Sequence, residues 1–175
     1  MKHFLYSVIL SPLLAAAAAG CAPSTAHIEA VRDFKPESYM GVWHEIARLP
    51  HRFERGLDQV TAEYTLLSDG SIRVVNRGFR NGEPRSVTGV AKLKAPGEVP
   101  LSGELRVSFF RPFYADYRII EWSEAEGIAV VTGSTTDYLW ILARTPTLPA
   151  DRLAEIVDRL ADLGFETENL EYPRP

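Results

Sequence analysis

The residue types that most often carry out chemistry are few in this chain and poorly placed for it. One cysteine and four histidines occur among 175 residues, and two of the histidines, His3 and His27, precede the region of regular pattern. His44 and Glu45 are adjacent in an extended run, so their side chains point to opposite faces. The sequence contains no Gly-x-Ser-x-Gly elbow and no phosphate-binding loop. We therefore predict a protein that is not an enzyme and that uses no metal and no cofactor.

Residues 1–20 have the pattern of a removable export signal. Lys2 supplies a positive start, Phe4 to Leu14 is an apolar run interrupted by Pro12, and Ala15 to Gly20 is a stretch of small residues. The apolar run is too short and too soon broken to cross a bilayer as an ordinary helix. A buried N-terminal helix is the alternative, but Pro12 suits it poorly. We predict a signal peptide over residues 1–20.

Cys21 is the one residue whose surroundings predict a covalent modification. Without a second cysteine it forms no intramolecular disulfide, which leaves its thiol unexplained in an exported protein. The run Ala18-Ala19-Gly20-Cys21 resembles the bacterial lipobox, in which the thiol receives a diacylglyceryl group and the chain is cleaved before the cysteine. We predict a lipidated Cys21, and ordinary cleavage after Ala17 or Ala19 is the alternative.

The lipobox resemblance implies an anchored protein. Such a cysteine carries two ester-linked acyl chains and usually a third on its amine, and two lipid signals suffice for stable anchoring. Ala22 stands where an inner-membrane retention signal would have Asp, so the resemblance implies the outer membrane, on its periplasmic face. Residues 21–35 then form a lipidated N-terminus with a polar tether, Ala22 to Asp33, that lets the folded domain stand off the bilayer.

The remaining residues, 36–175, have the size of a single domain with enough apolar content for a core. Removal of residues 1–20 takes away one lysine and no acid, so the net charge changes from −4 to −5. An acidic chain without a basic cluster is unsuited to bind nucleic acid. We therefore expect no nucleic-acid partner.

Short runs rich in Val, Ile, Tyr, Phe and Thr dominate the domain and predict strands. Tight turns such as Ser68-Asp69-Gly70 and Asn81-Gly82 join them as hairpins, without a long crossover. Such a meander favours closure into a barrel over a sandwich, because closure removes the exposed edges. The eight runs are Gly41 to Leu49, Val60 to Leu67, Ser71 to Phe79, Pro84 to Lys94, Glu104 to Phe110, Ala115 to Trp122, Gly127 to Gly133 and Tyr138 to Arg144.

After Arg144 the apolar period changes to three and four residues. Leu153, Ile156, Val157, Leu160 and Leu163 share one face of a helix, between Pro149 and Gly164. We predict one amphipathic helix packed on the outer wall of the barrel, and a last short strand within residues 165–172. The fold class is thus mostly β: an eight-stranded antiparallel up-and-down β-barrel with one C-terminal α-helix outside.

Three short motifs mark the closed end of such a barrel. Gly41 lets the chain turn tightly into the first strand, and Trp43 offers a ring large enough to plug the narrow end. Arg144, at the end of the last strand, can stack on that ring while it bonds nearby carbonyls. Thr136-Asp137-Tyr138 precedes the last strand. We assign Gly41, Trp43, Thr136, Asp137, Tyr138 and Arg144 a structural role.

Together these motifs resemble those of the lipocalins, and in particular the bacterial branch of outer-membrane lipoproteins. The similarity extends from about Tyr39 through the helix, and residues 48–54, 107–114 and 138–144 match this branch more closely than lipocalins at large. An eight-stranded barrel of this kind holds one small ligand. The resemblance implies that the ligands are fatty acids or phospholipids, particularly lysophospholipids.

Strand alternation predicts which side chains face the ligand. Two arginines, Arg73 and Arg77, would not line a lipid cavity, so that Ile72, Val74 and Asn76 face inward. Small inward residues, Ala62, Gly89, Ala91 and Ala129, are expected to leave unfilled room, and the lining is expected to hold few polar groups. The same alternation adds the following inward residues: Tyr64, Val87, Leu105, Val107, Phe109, Tyr117, Ile119, Val131, Tyr138, Trp140 and Leu142.

The segment Phe109 to Tyr114 is the candidate site for a lipid headgroup. Its four aromatic residues surround Arg111, a cation able to bond a carboxylate or phosphate. A packed hairpin turn is the alternative. Arg48, Arg52 and Arg55, near the first connection, are further candidates for the same contact.

The predicted function is therefore a membrane-anchored, lipid-binding protein that stores or transports fatty acids or (lyso)phospholipids in the cell envelope. A structural envelope barrel with a filled interior, and an isomerase or hydrolase on the same fold, are the alternatives. The sequence leaves open whether the barrel forms a homodimer.

Overall fold

The computed structural model describes residues 22–52 and 54–175. The predicted leader and Cys21 lie outside the described residues. Eight strands form one closed antiparallel barrel in which each strand pairs with the next and β8 pairs with β1. The strands are β1 (Gly41–Arg48), β2 (Asp58–Leu66), β3 (Ile72–Arg80), β4 (Glu83–Leu93), β5 (Glu104–Phe110), β6 (Phe113–Ser123), β7 (Ile128–Thr132) and β8 (Leu139–Ala143).

The barrel confirms the meander predicted from the sequence, and the strand bounds agree with the predicted runs to within two residues. The turn chemistry acts as expected at the β3–β4 hairpin, where Asn81 and Gly82 have φ of 53° and 79°. A two-residue hairpin turn that matches the right-handed twist of its strands requires two consecutive residues with positive φ.

Two helices complete the fold. The short α1 (Pro36–Tyr39) precedes β1, and α2 (Ala150–Asp162) follows β8 with Ile156 and Leu160 fully buried against the barrel. This confirms the predicted C-terminal helix on the outer wall. Within residues 22–52 and 54–175, no helix has the length and apolar character needed to cross a membrane.

The barrel has two unlike ends. We call the end with α1, Trp43 and the β2–β3, β4–β5 and β6–β7 connections the floor, and the opposite end the mouth. Four connections surround the mouth: residues 49–57, 81–82, 111–112 and 133–138.

The buried apolar residues form two separate clusters. One fills the space between α2 and the outer wall, and it includes Ile46, Ile141, Ile156 and Leu160. The other lies inside the barrel around Trp43 and Tyr39. The wall strands therefore serve both clusters, because alternate residues of each strand face opposite sides.

The residues before α1 are packed on the barrel, which corrects the interpretation of 22–33 as a tether. Thr25 is fully buried and its backbone N–H donates to Ser134 O at 3.1 Å, while Val31 N–H donates to Ile119 O at 2.8 Å. The Arg118 guanidinium donates to the carbonyls of Thr25 and Ile28. The polar sequence of this segment has no strand period and so predicts a tether, but its backbone groups form hydrogen bonds with the barrel wall.

The C-terminal segment fills a seam in the wall, the gap between β1 and β2 on the mouth side of His44. β1 and β2 pair only from Gly41 to His44, and beyond that point Arg48 exchanges two backbone hydrogen bonds with Glu171. Gln59 N–H donates to Arg174 O at 2.8 Å, on the other side of the seam. The predicted strand within 165–172 is wrong: the segment has a single bridge residue, preceded by a 3-10 turn at Thr167–Asn169.

Candidate ligand-binding site

Cross-strand partners share a face of the sheet, so the register identifies the inner surface of the barrel. Trp43 pairs with Ala62, Ala62 with Asn76, and Asn76 with Val87. Further cross-strand pairs lie on the same inner surface: Tyr64 with Val74, Val74 with Gly89, Ala91 with Val107, Leu105 with Tyr117, and Val131 with Trp140. The register therefore places these predicted lining residues on one surface, opposite to Arg73 and Arg77.

The floor is closed by the contact that the sequence motifs suggested. The Arg144 guanidinium carbon lies 3.8 Å from the Trp43 ring centroid, and its nitrogens donate to the carbonyls of Ser38, Met40 and Val42 at 2.8 to 3.0 Å. Trp43 Nε1–H donates to Tyr39 O at 2.8 Å. Gly41 has φ of 94°, a conformation that favours glycine, and a Cβ there would lie 3.4 Å from Arg144 Nη1.

Three tyrosine hydroxyls lie directly above the floor. Tyr117 Oη is 2.8 Å from both Tyr39 Oη and Tyr64 Oη, so Tyr117 joins the other two. Burial is the main factor that raises the pKa of each of these hydroxyls, which keeps all three protonated. They give the lower barrel a small polar centre within a ring of aromatic side chains.

The lower half of the barrel is filled. Ala91 and Ala129 are buried, and the ring of Phe109 covers Gly89, where a Cβ would come within 2.6 Å of Phe109 Cδ1. The expectation that these small residues leave unfilled room is therefore wrong at Gly89, Ala91 and Ala129. Neighbouring large rings occupy the space, including that of Trp122, which packs edge-on against Tyr39.

The upper half of the barrel is open to solvent. Val87 faces inward by register, yet it is 45% exposed, and Phe109 is 37% exposed. Six other inward residues are partly accessible: Ala62, Asn76, Val107, Tyr117, Tyr138 and Trp140. The Oδ1 of Asn76 is buried and has no hydrogen-bond partner among the described residues. We call this half-open space, bounded below by the tyrosines, the upper chamber.

A charged cluster forms one side of the upper chamber, where the sequence predicted few polar groups. Arg48 is buried, and its guanidinium donates to Glu45 Oε1 at 2.5 Å and to Glu171 Oε2 at 2.9 to 3.0 Å. Glu54 accepts from Trp140 Nε1 at 2.9 Å and lies 2.8 Å from His51 Nε2. Arg48 is thus bound to carboxyl groups of the chain itself, which corrects its assignment as an exposed headgroup contact.

The two carboxyls of this cluster differ in acidity. Burial raises the pKa of Glu45 to about 8, the nearby Glu54 adds to the rise, and the charge and hydrogen bond of Arg48 oppose it. Burial acts in the same direction on Glu54, but hydrogen bonds from His51 and Trp140 outweigh it and hold that pKa below its usual value. The raised pKa favours the protonated form of Glu45 at neutral pH. The bound proton reduces the negative charge of the cluster.

The mouth carries exposed aromatic residues. Phe110 is 82% and Phe113 76% exposed at the β5–β6 hairpin, with Arg111 between them and Tyr114 beside them. The rings do not pack into a closed turn, contrary to the alternative of a packed hairpin. Arg111 lies at the tip of this hairpin.

A pocket of about 690 Å³ opens at the rim of the mouth, between the 49–57 and 133–138 connections. Asp137, Tyr138 and His51 line it together with Ala22 and Pro23. Thr136 N–H donates to Pro23 O at 2.9 Å, so the Thr136-Asp137-Tyr138 motif holds the N-terminal segment at the rim. A second pocket, of about 530 Å³, lies mainly on the outer wall, where the outward residues Arg77 and Ser86 line it.

The titratable groups described at the chamber wall pair with one another, Arg48 with Glu45 and His51 with Glu54. Across residues 22–52 and 54–175, no three His, Cys, Asp or Glu side chains are grouped so as to hold a metal ion. His44 pairs with Ala143 on the outer face while Glu45 pairs with Leu142 on the inner face, as the alternation predicted.

Comparison with known proteins agrees with this architecture. Residues 34–175 match the model of the lipocalin-like domain. Among solved structures, insecticyanin from the tobacco hornworm Manduca sexta superposes with a TM-score of 0.69 at 19% identity, covering 89% of this chain and 87% of that one. At this identity the likeness concerns the fold alone.

Sequence relatives cover nearly the whole chain. The chain is 42% identical over 156 residues to outer membrane lipoprotein Blc of Vibrio cholerae, covering 87% of this chain and 90% of that protein. It is 39% identical over 164 residues to outer membrane lipoprotein Blc of Escherichia coli K12, covering 90% and 92%. Mouse apolipoprotein D is 32% identical over 148 residues, covering 79% and 75%.

Proposed function

The chain belongs to the lipocalin family, and from this membership we propose that it binds a single-chain lipid, a fatty acid or lysophospholipid, in the upper chamber. Lipocalins are binding proteins rather than enzymes as a family. The observation that carries the proposal is the accessibility of side chains that face inward, above all Val87. A barrel filled to the rim would bury Ala62 and Val107, which remain partly accessible although both neighbouring strands pair at their level.

The shape and polarity of the chamber favour one apolar chain. Its walls are mainly apolar, and the filled lower half limits its depth. Each methylene that leaves water contributes about 0.8 kcal/mol, so ten buried methylenes contribute about 8 kcal/mol before the cost of association. The residues proposed to contact it are Ala62, Asn76, Val87, Val107, Phe109, Tyr117, Tyr138 and Trp140, with Tyr64, Val74, Gly89, Ala91 and Val131 beneath them.

The charged groups at the mouth suit the lipid headgroup. Arg111 stands at the tip of the β5–β6 hairpin, and an arginine can bond a carboxylate or a phosphate with two N–H groups. Tyr114 precedes Ala115, which pairs with the inward Val107, so the register turns Tyr114 to the outer face, contrary to its predicted role. Arg48 is bound to Glu45 and Glu171, so we assign the headgroup contact to Arg111.

We also propose that the protein is a lipoprotein of the outer membrane, anchored through Cys21. Its bacterial relatives bear the name outer membrane lipoprotein. The Ala18-Ala19-Gly20-Cys21 run supports the same conclusion for this chain, and Ala22, where an inner-membrane retention signal would have Asp, supports the outer membrane. Intact mass of protein from the membrane fraction tests the anchor: a diacylglyceryl adduct on Cys21 is expected, and an unmodified thiol would refute it.

Displacement of a fluorescent fatty acid from delipidated protein, residues 22–175, tests the binding proposal. We expect saturable binding at a 1:1 ratio, and displacement by palmitate and by lysophosphatidylcholine. A structural barrel without ligand is the second candidate, supported by the filled lower half. It predicts no saturable uptake up to the solubility limit of the probe.

A further inference from the structure

We propose that the mouth of the barrel faces the bilayer and that the β5–β6 hairpin inserts its aromatic tip into the lipid interface. The proposal rests on the proposed lipid anchor at Cys21. It adds an orientation: the opening of the upper chamber is held against the membrane, with the floor turned away from it.

The chain is fixed at the mouth immediately after the anchor position. Thr136 N–H donates to Pro23 O at 2.9 Å, and Thr25 Oγ1 donates to Gly133 O at 2.6 Å. Both contacts are to the connection between β7 and β8, which borders the mouth. The first described residues therefore belong to the rim, and the chain leaves the rim to run along the wall towards α1.

The length of free chain limits how far the barrel can stand from the membrane. Cys21 precedes Pro23 by two residues, and an extended chain spans at most about 3.6 Å per residue, or about 7 Å here. A diacylglyceryl group on Cys21 would then hold the rim close to the lipid headgroups. A barrel on a free tether of a dozen residues would have no such restraint.

The most exposed aromatic side chains lie at this same end. Phe110 and Phe113 are 82% and 76% exposed at the tip of the β5–β6 hairpin. The last pair between β6 and β7 is Arg118 with Thr132, and Phe113 lies five residues further along β6. At about 3.3 Å per residue the hairpin extends roughly 17 Å beyond that pair along the strand. It is thus long enough to reach past the rim into the interface, where aromatic rings are favoured.

The charge of the mouth also suits a phospholipid surface. The chain as a whole has a net charge of −4, but its four mouth connections hold three arginines and two acids. Arginines near a membrane surface are attracted to lipid phosphates. The arginines are Arg52, Arg55 and Arg111, and the acids are Glu54 and Asp137.

Two single tryptophan substitutions report the orientation. Phe110→Trp places the probe on the hairpin, and Val99→Trp is the matched control, because Val99 is 97% exposed on the β4–β5 connection at the floor. Each full-length, lipidated variant is reconstituted into phosphatidylethanolamine and phosphatidylglycerol vesicles whose acyl chains carry bromine, a quencher of indole. The emission of the parent protein, from its own tryptophans, is subtracted.

We expect bromine to lower the emission of the residue 110 probe about twofold or more, as for a side chain 5 to 10 Å deep in the interface, and to leave the residue 99 probe unchanged. Equal quenching at both positions, or quenching at residue 99 alone, would overturn the proposal. A blue-shifted probe at residue 110 that bromine fails to quench would show that a second protein copy covers the hairpin, and would overturn it too. So would an intact mass without acyl groups on Cys21.

Fatty-acid displacement on the same two variants separates this proposal from the proposed function. Quenching at residue 110 together with absent fatty-acid binding supports the orientation and refutes the chamber. Normal binding with no quenching at residue 110 refutes the orientation alone.

Discussion

The Arg144 guanidinium carbon lies 3.8 Å from the ring centroid of Trp43, so the first and last strands of the barrel are fastened at the floor. The same guanidinium donates to the carbonyls of Ser38 in α1, of Met40 and of Val42 in β1. This contact sets the lower boundary of the barrel, because Trp43 and Tyr39 fill the space directly above it.

Loss of the floor contact should reduce stability. Trp43→Ala removes a fully buried ring and should lower the free energy of unfolding by about 3 to 5 kcal/mol. Arg144→Lys keeps the charge but lacks the planar guanidinium whose two terminal nitrogens donate to the three carbonyls. It should lower the free energy of unfolding by about 1 to 3 kcal/mol. Urea denaturation measures both. Arg85→Lys, an exposed position at the mouth, is the control and should change stability by less than about 0.5 kcal/mol.

Truncation under α2 should reduce stability without loss of binding by the folded protein. Leu160 is fully buried between α2 and the outer wall, so that Leu160→Ala should cost about 2 to 5 kcal/mol. Leu163→Ala, at a 37% exposed position just after the helix, should cost much less. Fatty-acid affinity measured below the unfolding transition should match the parent for both. A large fall in affinity for Leu160→Ala would mean that the ligand lies under the helix.

Charge on the inner face should abolish lipid uptake, while charge on the outer face should not. Val107→Glu puts a carboxylate in the chamber, where its desolvation opposes binding, and should weaken fatty-acid affinity by about tenfold or more. Val87→Glu should do the same at a position that is open enough to accept the charge without unfolding. Arg73→Glu, on the outer face of β3, is the control. Equal losses in all three variants would show that the inner surface is assigned wrongly.

Glu45 should make stability depend on pH. Its folded pKa of about 8 exceeds the value of a free glutamate, so folding favours the protonated form. The stabilisation is complete below about pH 4.3 and is lost as pH rises to about 8, with a slope of up to about 1.4 kcal/mol per unit. Glu45→Gln should flatten the decline between pH 5 and pH 8, measured by denaturation at a series of pH values.

The Glu54 carboxyl does not contribute to the decline in stability between pH 5 and pH 8. Its pKa is lowered, so it reduces stability only as pH falls below the usual titration range of glutamate. Glu98→Gln removes an exposed carboxyl and serves as the control. If the parent shows no decline between pH 5 and pH 8, Glu45 is ionised in the folded protein and the account of the cluster is wrong.

The barrel was predictable because its determinants are local. Alternation identified the strands, Asn81-Gly82 fixed a hairpin, and the period of Ile156 and Leu160 identified the helix. The inner and outer faces of β3 followed from Arg73 and Arg77 alone, because charge excludes a residue from an apolar interior.

The charged cluster and the N-terminal packing were not predictable in the same way. Glu45 and Arg48 are three residues apart, which on a regular strand places them on opposite faces, but a bulge between Glu45 and Ala47 turns both inward. Nothing in the sequence marks this bulge. Glu171 and Thr25 reach their partners across more than 90 residues of chain, a distance over which composition and period carry no information.

The ring of Phe109 explains why the interior has less free volume than its small residues predict. Gly89 lies on the inner face as predicted, but a glycine leaves room only if no neighbour fills it, and the Phe109 ring does so. Small residues and large ones alternate across facing positions of a packed interior. The open part of the barrel is identified by the exposure of Val87 rather than by the size of the residues at its wall.

The central claim is that the upper chamber holds one single-chain lipid. The most direct test is native mass spectrometry of the protein purified from its own membrane, with its noncovalent ligand retained. We predict one fatty acid or lysophospholipid per barrel, lost in the Val107→Glu variant and kept in Arg73→Glu. A barrel that carries no lipid and takes up none when offered palmitate would contradict the account.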